Sequence, residues 1–321
     1  MKIFVAGHAG LVGSAIVRAL KKDGYLNILT ASRKEVDLTD QHQVQAFFKT
    51  EKPEVVFLAA AKVGGIQANN TNPADFIYEN LMIQANVIHA AYSVGVKRLI
   101  FLGSSCIYPK HCLQPIKEVF LLTGPLEPTN QAYAVAKIAG VEMCYAYNRQ
   151  YRTNFLPLMP TNLYGPNDNY DLINSHVLPA ILHKAHVAKE LGLKEIVLWG
   201  TGEVYREFLY VDDLADACMF FLKMSDEQYQ KLFDKYDGRP LFNVGSGKDI
   251  TIKALATMVC DIVGFDGVIR WDDTKPNGTP RKLLDISRIK QLGWQSKTSI
   301  EDGIRITYEA FKSEKEAVLC S

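Results

Sequence analysis

Tyr133 and Lys137 stand four residues apart at the start of a strongly helical stretch, a spacing that puts both on one helix face. An ammonium beside a phenol favours the phenolate, lowering a pKa that starts at about 10. Such a tyrosine can give or take a proton at a carbonyl oxygen while a hydride moves at its carbon, help typically worth about 10²–10⁴-fold in rate. Ser104 follows the apolar run ending Phe101-Leu102-Gly103. A hydroxyl at the carboxyl end of a buried strand can hydrogen-bond the same oxygen. Taken alone, the tyrosine–lysine pair is equally consistent with a surface pair on a helix.

A second constellation lies in Gly7-His8-Ala9-Gly10-Leu11-Val12-Gly13, directly after the first apolar run. A tight turn needs residues without Cβ, and phosphate oxygens must approach the N–H groups that open a helix. Gly7 and Gly10 suit the turn and the approach, and Gly13 lets the helix pack on the sheet. After the second strand, where an acid usually holds the ribose hydroxyls, stand Ser32, Arg33 and Lys34. They suit a 2′-phosphate, so NADP is expected over NAD, although Arg33 and Lys34 also read as solvated charges. Asp37 is expected near the adenine.

These residues need a scaffold. Short apolar runs at 3–6, 28–30, 55–59, 99–102 and 155–159 read as strands buried on both faces. Amphipathic stretches at 11–22, 40–50, 73–93 and 131–150 alternate with them. The expected fold class is α/β: a Rossmann doubly wound parallel sheet with a smaller C-terminal α/β substrate domain. The expected boundaries are 1–170 for the dinucleotide domain, with 205–240 returning to it, and 171–204 plus 241–321 for the substrate domain. A helix is expected from Ser175 to about Lys189, strands near 196–198 and 207–211, and a helix capped by Asp212 or Asp213. Residues 225–240 read as a polar surface excursion. Residues 243–247 read as a strand ending in a turn, Thr251 as a helix start, and 276–282 as a rigid basic loop. No structure is expected of the tail after Phe311.

Composition bounds the partners. The 321 residues carry 36 Lys and Arg against 35 Asp and Glu, a net charge of +1. That argues against nucleic-acid binding through a broad basic surface. The six cysteines (106, 112, 144, 218, 260 and 320) form no Cys-x-x-Cys pair and read as thiols of a reducing, cytoplasmic compartment. Apolar runs are too short for a membrane span. The N-terminal run breaks at Gly7-His8, so it reads as a strand and not as a signal peptide. No metal site is expected: His183 and His186 are three apart but lack a third ligand, and read as surface or nucleotide-proximal residues.

Gly7, Gly10, Gly13, Ser104, Tyr133 and Lys137, in this order and each on the expected element, resemble the extended short-chain dehydrogenase/reductase family. Ala59-Ala60-Ala61 and the run from Arg206 to Asp213 extend the likeness over essentially the whole chain. Longer motifs resemble its GDP-L-fucose synthase branch: Ala60 to Ile66, Gly103 to Pro109, Met159 to Pro166, Asn174-Ser175-His176-Val177, and Lys275 to Lys282. The resemblance implies an NADPH-dependent homodimer acting on GDP-4-keto-6-deoxymannose, inverting carbons 3 and 5 and then reducing the carbon 4 ketone. It makes Cys106 the base and His176 the acid, on opposite faces of the sugar. Ser104 and Tyr133 would stabilise the enolate oxygen, and Lys137 would assist. It adds Leu11, Val12, Leu38, Leu102, Gly103, Ser105, Pro160, Thr161, Asn162 and Leu163 to the cofactor contacts.

For the substrate it implies Lys184, Trp199 and Arg206. Arg281 is a further candidate cation for the diphosphate. Three positions depart from the family pattern. Lys184 stands where some relatives have arginine, Asn277 where an aspartate contacts the nucleotide, and Ala9 where some carry arginine near the 2′-phosphate. Two other readings compete. One is a UDP-sugar 4-epimerase or 4,6-dehydratase, the latter disfavoured because no acid pair follows Ser104. The other is a non-catalytic NADP-sensing protein.

Overall fold

Ile3–Ala6 (β1) is apolar and buried at all four positions, as a strand covered on both faces must be. The chain continues through α1 (Leu11–Lys22), β2 (Ile28–Leu29), α2 (Gln41–Glu51), β3 (Val55–Leu58), α3 (Ile66–Thr71) and α4 (Pro73–Ser93). It then forms β4 (Arg98–Leu102), α5 (Gln131–Tyr151), β5 (Phe155–Pro160) and β6 (Asn162–Tyr164). This is a computed structural model; it describes every residue except Ile173, Asn174, Pro276, Cys320 and Ser321, and no side chain from 314 to 319. Asn174 and Pro276 of the sequence motifs, and Cys320, therefore lie outside the described residues.

The second half comprises α6 (Val177–Glu190), β7 (Glu195–Trp199), β8 (Tyr205–Tyr210), α7 (Val211–Lys223), α8 (Asp226–Lys235) and β9 (Phe242–Val244). After these come β10 (Asp249–Thr251), α9 (Ile252–Val263), β11 (Val268–Asp272), β12 (Arg281–Lys282), α10 (Ser287–Gln291) and α11 (Ile300–Leu319).

The principal sheet has the order β2-β1-β3-β4-β5-β9, and every neighbouring pair is parallel. The chain steps from β1 to β2 on one side and to β3 on the other. That reversal opens a crevice at the carboxyl ends of β1 and β3, where open α/β sheets take their ligands. Helix α4 packs on α5 and α1 on α7, giving the expected parallel sheet with flanking helices. Strand β8 is the hub of the second assembly: it pairs with β10 antiparallel and with β12 and β6 parallel. Strands β7 and β11 pair separately.

Two buried apolar clusters result. The larger runs from Ile3 through the sheet and includes Leu209 to Phe233, Leu241 to Val244 and Leu284 to Trp294. The smaller joins Tyr164 to buried faces of α6, α9 and α11. The segments 241–244 and 284–294, expected in the substrate domain, thus pack with the sheet instead.

Three local expectations need correction. The polar run 225–240 contains helix α8, opened by a reciprocal cap between Ser225 and Gln228. Its Tyr229, Leu232 and Phe233, at helical spacing, are buried. Arg98 anchors it, with its guanidinium 4.3 Å from the Tyr229 ring centroid and bonded to Asp226. The N-cap of α7 is Tyr210, without a side-chain cap. Asp212 instead pairs with Arg18, and Asp213 accepts from the Thr298 N–H at 2.9 Å. Finally, α11 carries helix through the tail as far as Leu319. Among the described residues no helix is long and apolar enough to cross a membrane.

Candidate active site

A single cleft of about 1110 Å³ runs over the carboxyl ends of the sheet strands into the second assembly. At one end Gly7 adopts φ +86°, and a Cβ there would lie 2.7 Å from the Ala60 nitrogen. The turn therefore sits directly on the strand end that follows β3. Gly10 caps α1 with no side-chain hydrogen bond, and no acid occupies the first turn. Uncapped N–H groups and a helix dipole facing a cleft form an anion site, so the residues present fit a dinucleotide diphosphate. Gly7, Gly10, Leu11, Val12, Gly13, Asp37 and Leu38 all line this end. Arg33 also lines it, 70% exposed, with Asp37 and Glu79 at 3.5 and 3.6 Å. Lys34 lies outside the lining.

The middle of the cleft holds the candidate proton-transfer groups. Ser104 ends β4 in extended backbone, and its Oγ accepts from the Cys106 N–H at 3.2 Å. It lines the same cleft as Tyr133. Helix α5 reaches this point because Gly140 lets it press on β4: a Cβ there would lie 2.5 Å from the Phe101 ring. Lys137 is buried at 3% exposure and donates to the Leu102 carbonyl at 2.9 Å. Its ammonium is 5.9 Å from the Tyr133 ring centroid.

The electrostatics differ from the sequence expectation. Burial raises the Tyr133 pKa, with the Cys106 charge adding to it and Ser104 opposing. Burial pushes Lys137 itself down to about 7. Tyr133 is thereby kept protonated, as a proton donor must be.

Cys106 is half-buried, and its sulfur accepts from Asn130 Nδ2 at 3.3 Å and Lys282 Nζ at 3.4 Å. His176 is the N-cap of α6 and opens onto the same cleft. The enclosing protein and then the Lys282 charge hold its pKa below the ordinary value.

Residues 3–239 match the model of the NAD dependent epimerase/dehydratase family. The chain belongs to that family. GDP-L-fucose synthase 1 of Arabidopsis thaliana is 57% identical over 96% of this chain and 92% of its own length. GDP-L-fucose synthase of Escherichia coli (strain K12) is 48% identical over 98% of both chains. Among solved structures, a GDP-mannoheptose C4 reductase from Campylobacter jejuni with NADP bound is 43% identical. It covers 97% of this chain and 98% of its own, with a TM-score of 0.88.

Within this epimerase-family cleft the structure gathers all but one of the expected site residues. Leu102, Gly103, Ser105, Pro160, Thr161, Asn162 and Leu163 line it, because β4, β5 and β6 end there. Lys184, Trp199, Arg206 and Asn277 line the far end. Lys184 Nζ donates to the Val197 carbonyl at 2.7 Å, and burial lowers its pKa. Burial also brings Arg206 down to about 10, and its guanidinium donates to the Asn277 carbonyl at 3.2 Å. Asn277 Oδ1 accepts from the Thr201 N–H at 2.9 Å, in the notch where Gly200 (φ +80°) has no room for a side chain.

Arg281 is the exception. It lies outside the cleft, held by Asp249 at 2.5 Å and stacked near Tyr205. Strand alternation is the reason: β12 turns adjacent side chains to opposite faces, and Lys282 is the one paired in register with Arg206. Lys282 and Asn130 are cleft residues to which sequence reasoning assigned no role. Two adjacent cations carry no signal for which faces inward until the register with β8 is known. His183 and His186 are half-buried and lie outside the cleft lining; both pack near Phe311 of α11. No group of three or more metal-ligating side chains occurs among the described residues.

Proposed function

We propose that this protein is an NADPH-dependent epimerase-reductase that converts GDP-4-keto-6-deoxy-D-mannose to GDP-L-fucose. One observation carries the reading: the cleft that holds the uncapped α1 N-terminus also holds Ser104, Tyr133, Cys106 and His176. A simple dehydrogenase needs neither Cys106 nor His176. The relatives named GDP-L-fucose synthase support the substrate, and the neighbour solved with NADP supports the cofactor.

The α1 N–H groups at Leu11, Val12 and Gly13 would hold the cofactor diphosphate, and Arg33 its 2′-phosphate. Bound NADPH supplies the hydride for carbon 4. In epimerisation Cys106 removes the proton from carbon 3 or 5, made acidic by the neighbouring ketone. Ser104 and Tyr133 donate hydrogen bonds to the carbonyl oxygen as it gains charge. His176 returns a proton from the opposite face. In reduction Tyr133 passes its proton to that oxygen. Lys137, fixed on the Leu102 carbonyl, orients the nicotinamide end. Arg206 and Lys184 face the substrate diphosphate and Trp199 its base or sugar.

The reading extends to a cytoplasmic homodimer, its subunit number testable by sedimentation. The decisive assay mixes protein, NADPH and GDP-4-keto-6-deoxymannose in deuterated water. NADPH oxidation with deuterium at carbons 3 and 5 of GDP-L-fucose is expected. Reduction without deuterium would make the protein a plain carbon 4 reductase. No reaction would reject the substrate.

A further inference from the structure

Resting on that reading, we propose that Lys282 is a positioning residue for epimerisation: its ammonium, with the Asn130 amide, holds the Cys106 sulfur in its anionic, proton-accepting form. Two donors converge on one sulfur, Lys282 Nζ at 3.4 Å and Asn130 Nδ2 at 3.3 Å. An ammonium can only donate, so the sulfur serves as acceptor toward it. A sulfur met by two donors, one of them charged, sits in an anion's environment, and the thiolate is the reactive form of cysteine.

The Lys282 charge is available for this task. Among the described residues it pairs with no carboxylate, whereas its neighbour Arg281 is neutralised by Asp249. Its backbone is also fixed. Lys282 pairs in register with Arg206 of β8. The next residue, Leu283, donates its N–H to Gln114 Oε1 at 2.9 Å and accepts from the Ile116 N–H at 2.7 Å. Leu284 N–H donates at 2.9 Å to Glu207, a carboxylate with no exposed surface. Among the described residues Tyr133 and Arg206 face Cys106, His176 and Cys112 face Lys282, and Glu127, paired with Lys110, lines the same small pocket as Cys106 and Lys282.

The step balances without a further reactant. The C–H bond at carbon 3 or 5 breaks, its proton passes to sulfur, and its electron pair moves into the enolate with the charge on the ketone oxygen. Lys282 lends the sulfur its charge before the transfer and touches neither carbon.

The test uses Lys282→Met and Lys282→Arg in the full chain. First, iodoacetamide alkylation of the Cys106 peptide is followed by mass spectrometry at about pH 7.5, without substrate. Alkylation should slow by about tenfold or more in Lys282→Met and recover in Lys282→Arg, with NADPH affinity unchanged in both. Second, deuterium exchange at carbons 3 and 5 should fall in parallel. In a Cys106→Ser background, adding Lys282→Met should change exchange no further. Unchanged alkylation in Lys282→Met, or losses that multiply in the double variant, would overturn the proposal. Absence of exchange in the unmodified protein would reject the epimerase reading, while the alkylation result would still decide the role of Lys282.

Discussion

Replacing Gly13 by alanine should separate what the glycine turn does for folding from what it does for a ligand. A Cβ at position 13 would stand 2.0 Å from the Gly7 carbonyl oxygen, 2.5 Å from its carbon and 2.8 Å from the His8 Cα. All three atoms are backbone, so no rotamer change relieves the overlap. Ordinary contact begins at 3.4 Å, so helix and turn must part by more than an ångström. They are tied together by the Gly10 N–H to the Gly7 carbonyl at 3.1 Å, and by Ser14 to Gly10 at 2.9 Å. Overpacking of this kind costs about 1–3 kcal/mol. Gly10 is the control. Its φ of −82° suits alanine, and the nearest atom to its Cβ lies at 3.6 Å. Gly10→Ala should therefore keep wild-type stability to within about 0.5 kcal/mol. It should still weaken NADPH binding by about tenfold or more, because the methyl would occupy the path of the phosphate oxygens. Urea unfolding without cofactor and a fluorescence titration with NADPH read the two effects separately. Equal stability losses in both variants, or none in Gly13→Ala, would refute the division of roles.

Tyr133→Phe should cut NADPH turnover by about 10²–10⁴-fold and leave NADPH affinity intact; normal turnover would reject its proton-donor role. Lys137 has a folded-state pKa of about 7, lowered by burial, so between pH 7 and about 10.5 the unfolded chain binds the extra proton. Over that interval the wild type should gain stability with rising pH relative to Lys137→Met, measured by urea unfolding at pH 7 and pH 9. A constant difference would refute the burial argument. Arg281→Ala should change substrate KM by less than about twofold and stability by less than about 1 kcal/mol, since its ion pair is at the surface. Arg206→Ala, in the cleft, should raise KM by about tenfold or more; steady-state kinetics on the two variants would expose a wrong assignment of the inward-facing cation.

Much of the fold was legible because its signals are local. Continuous apolar runs flanked by amphipathic stretches can settle only as strands buried between helices, and α4 falls on 73–93 as the periodicity required. The dinucleotide turn was legible for a similar reason: its three glycines answer to steric demands within one strand–turn–helix unit. The sequence missed α8 because overall polarity outweighed the three apolar residues that dock it. It placed the cap of α7 two or three residues late because Asp212 and Asp213 are spoken for by Arg18 and Thr298, both distant in the chain.

The sequence by itself determined the parallel sheet and the glycine turn and singled out Ser104, Tyr133 and Lys137, because each rests on residue type and short-range spacing; Cys106 and His176 entered only through the family resemblance. Only the tertiary structure decided the charge balance of the site. Burial raises the Tyr133 pKa where the helical spacing to Lys137 suggested a lowered one, and the Lys137 side chain is bonded to the Leu102 carbonyl. The cation at the cysteine is Lys282, from a strand 176 residues away along the chain. Its adjacent Arg281 faces outward, because pairing with β8 fixes which of two successive side chains looks into the cleft. Register across a sheet and desolvation by packing are long-range quantities, and no local pattern of residues encodes them.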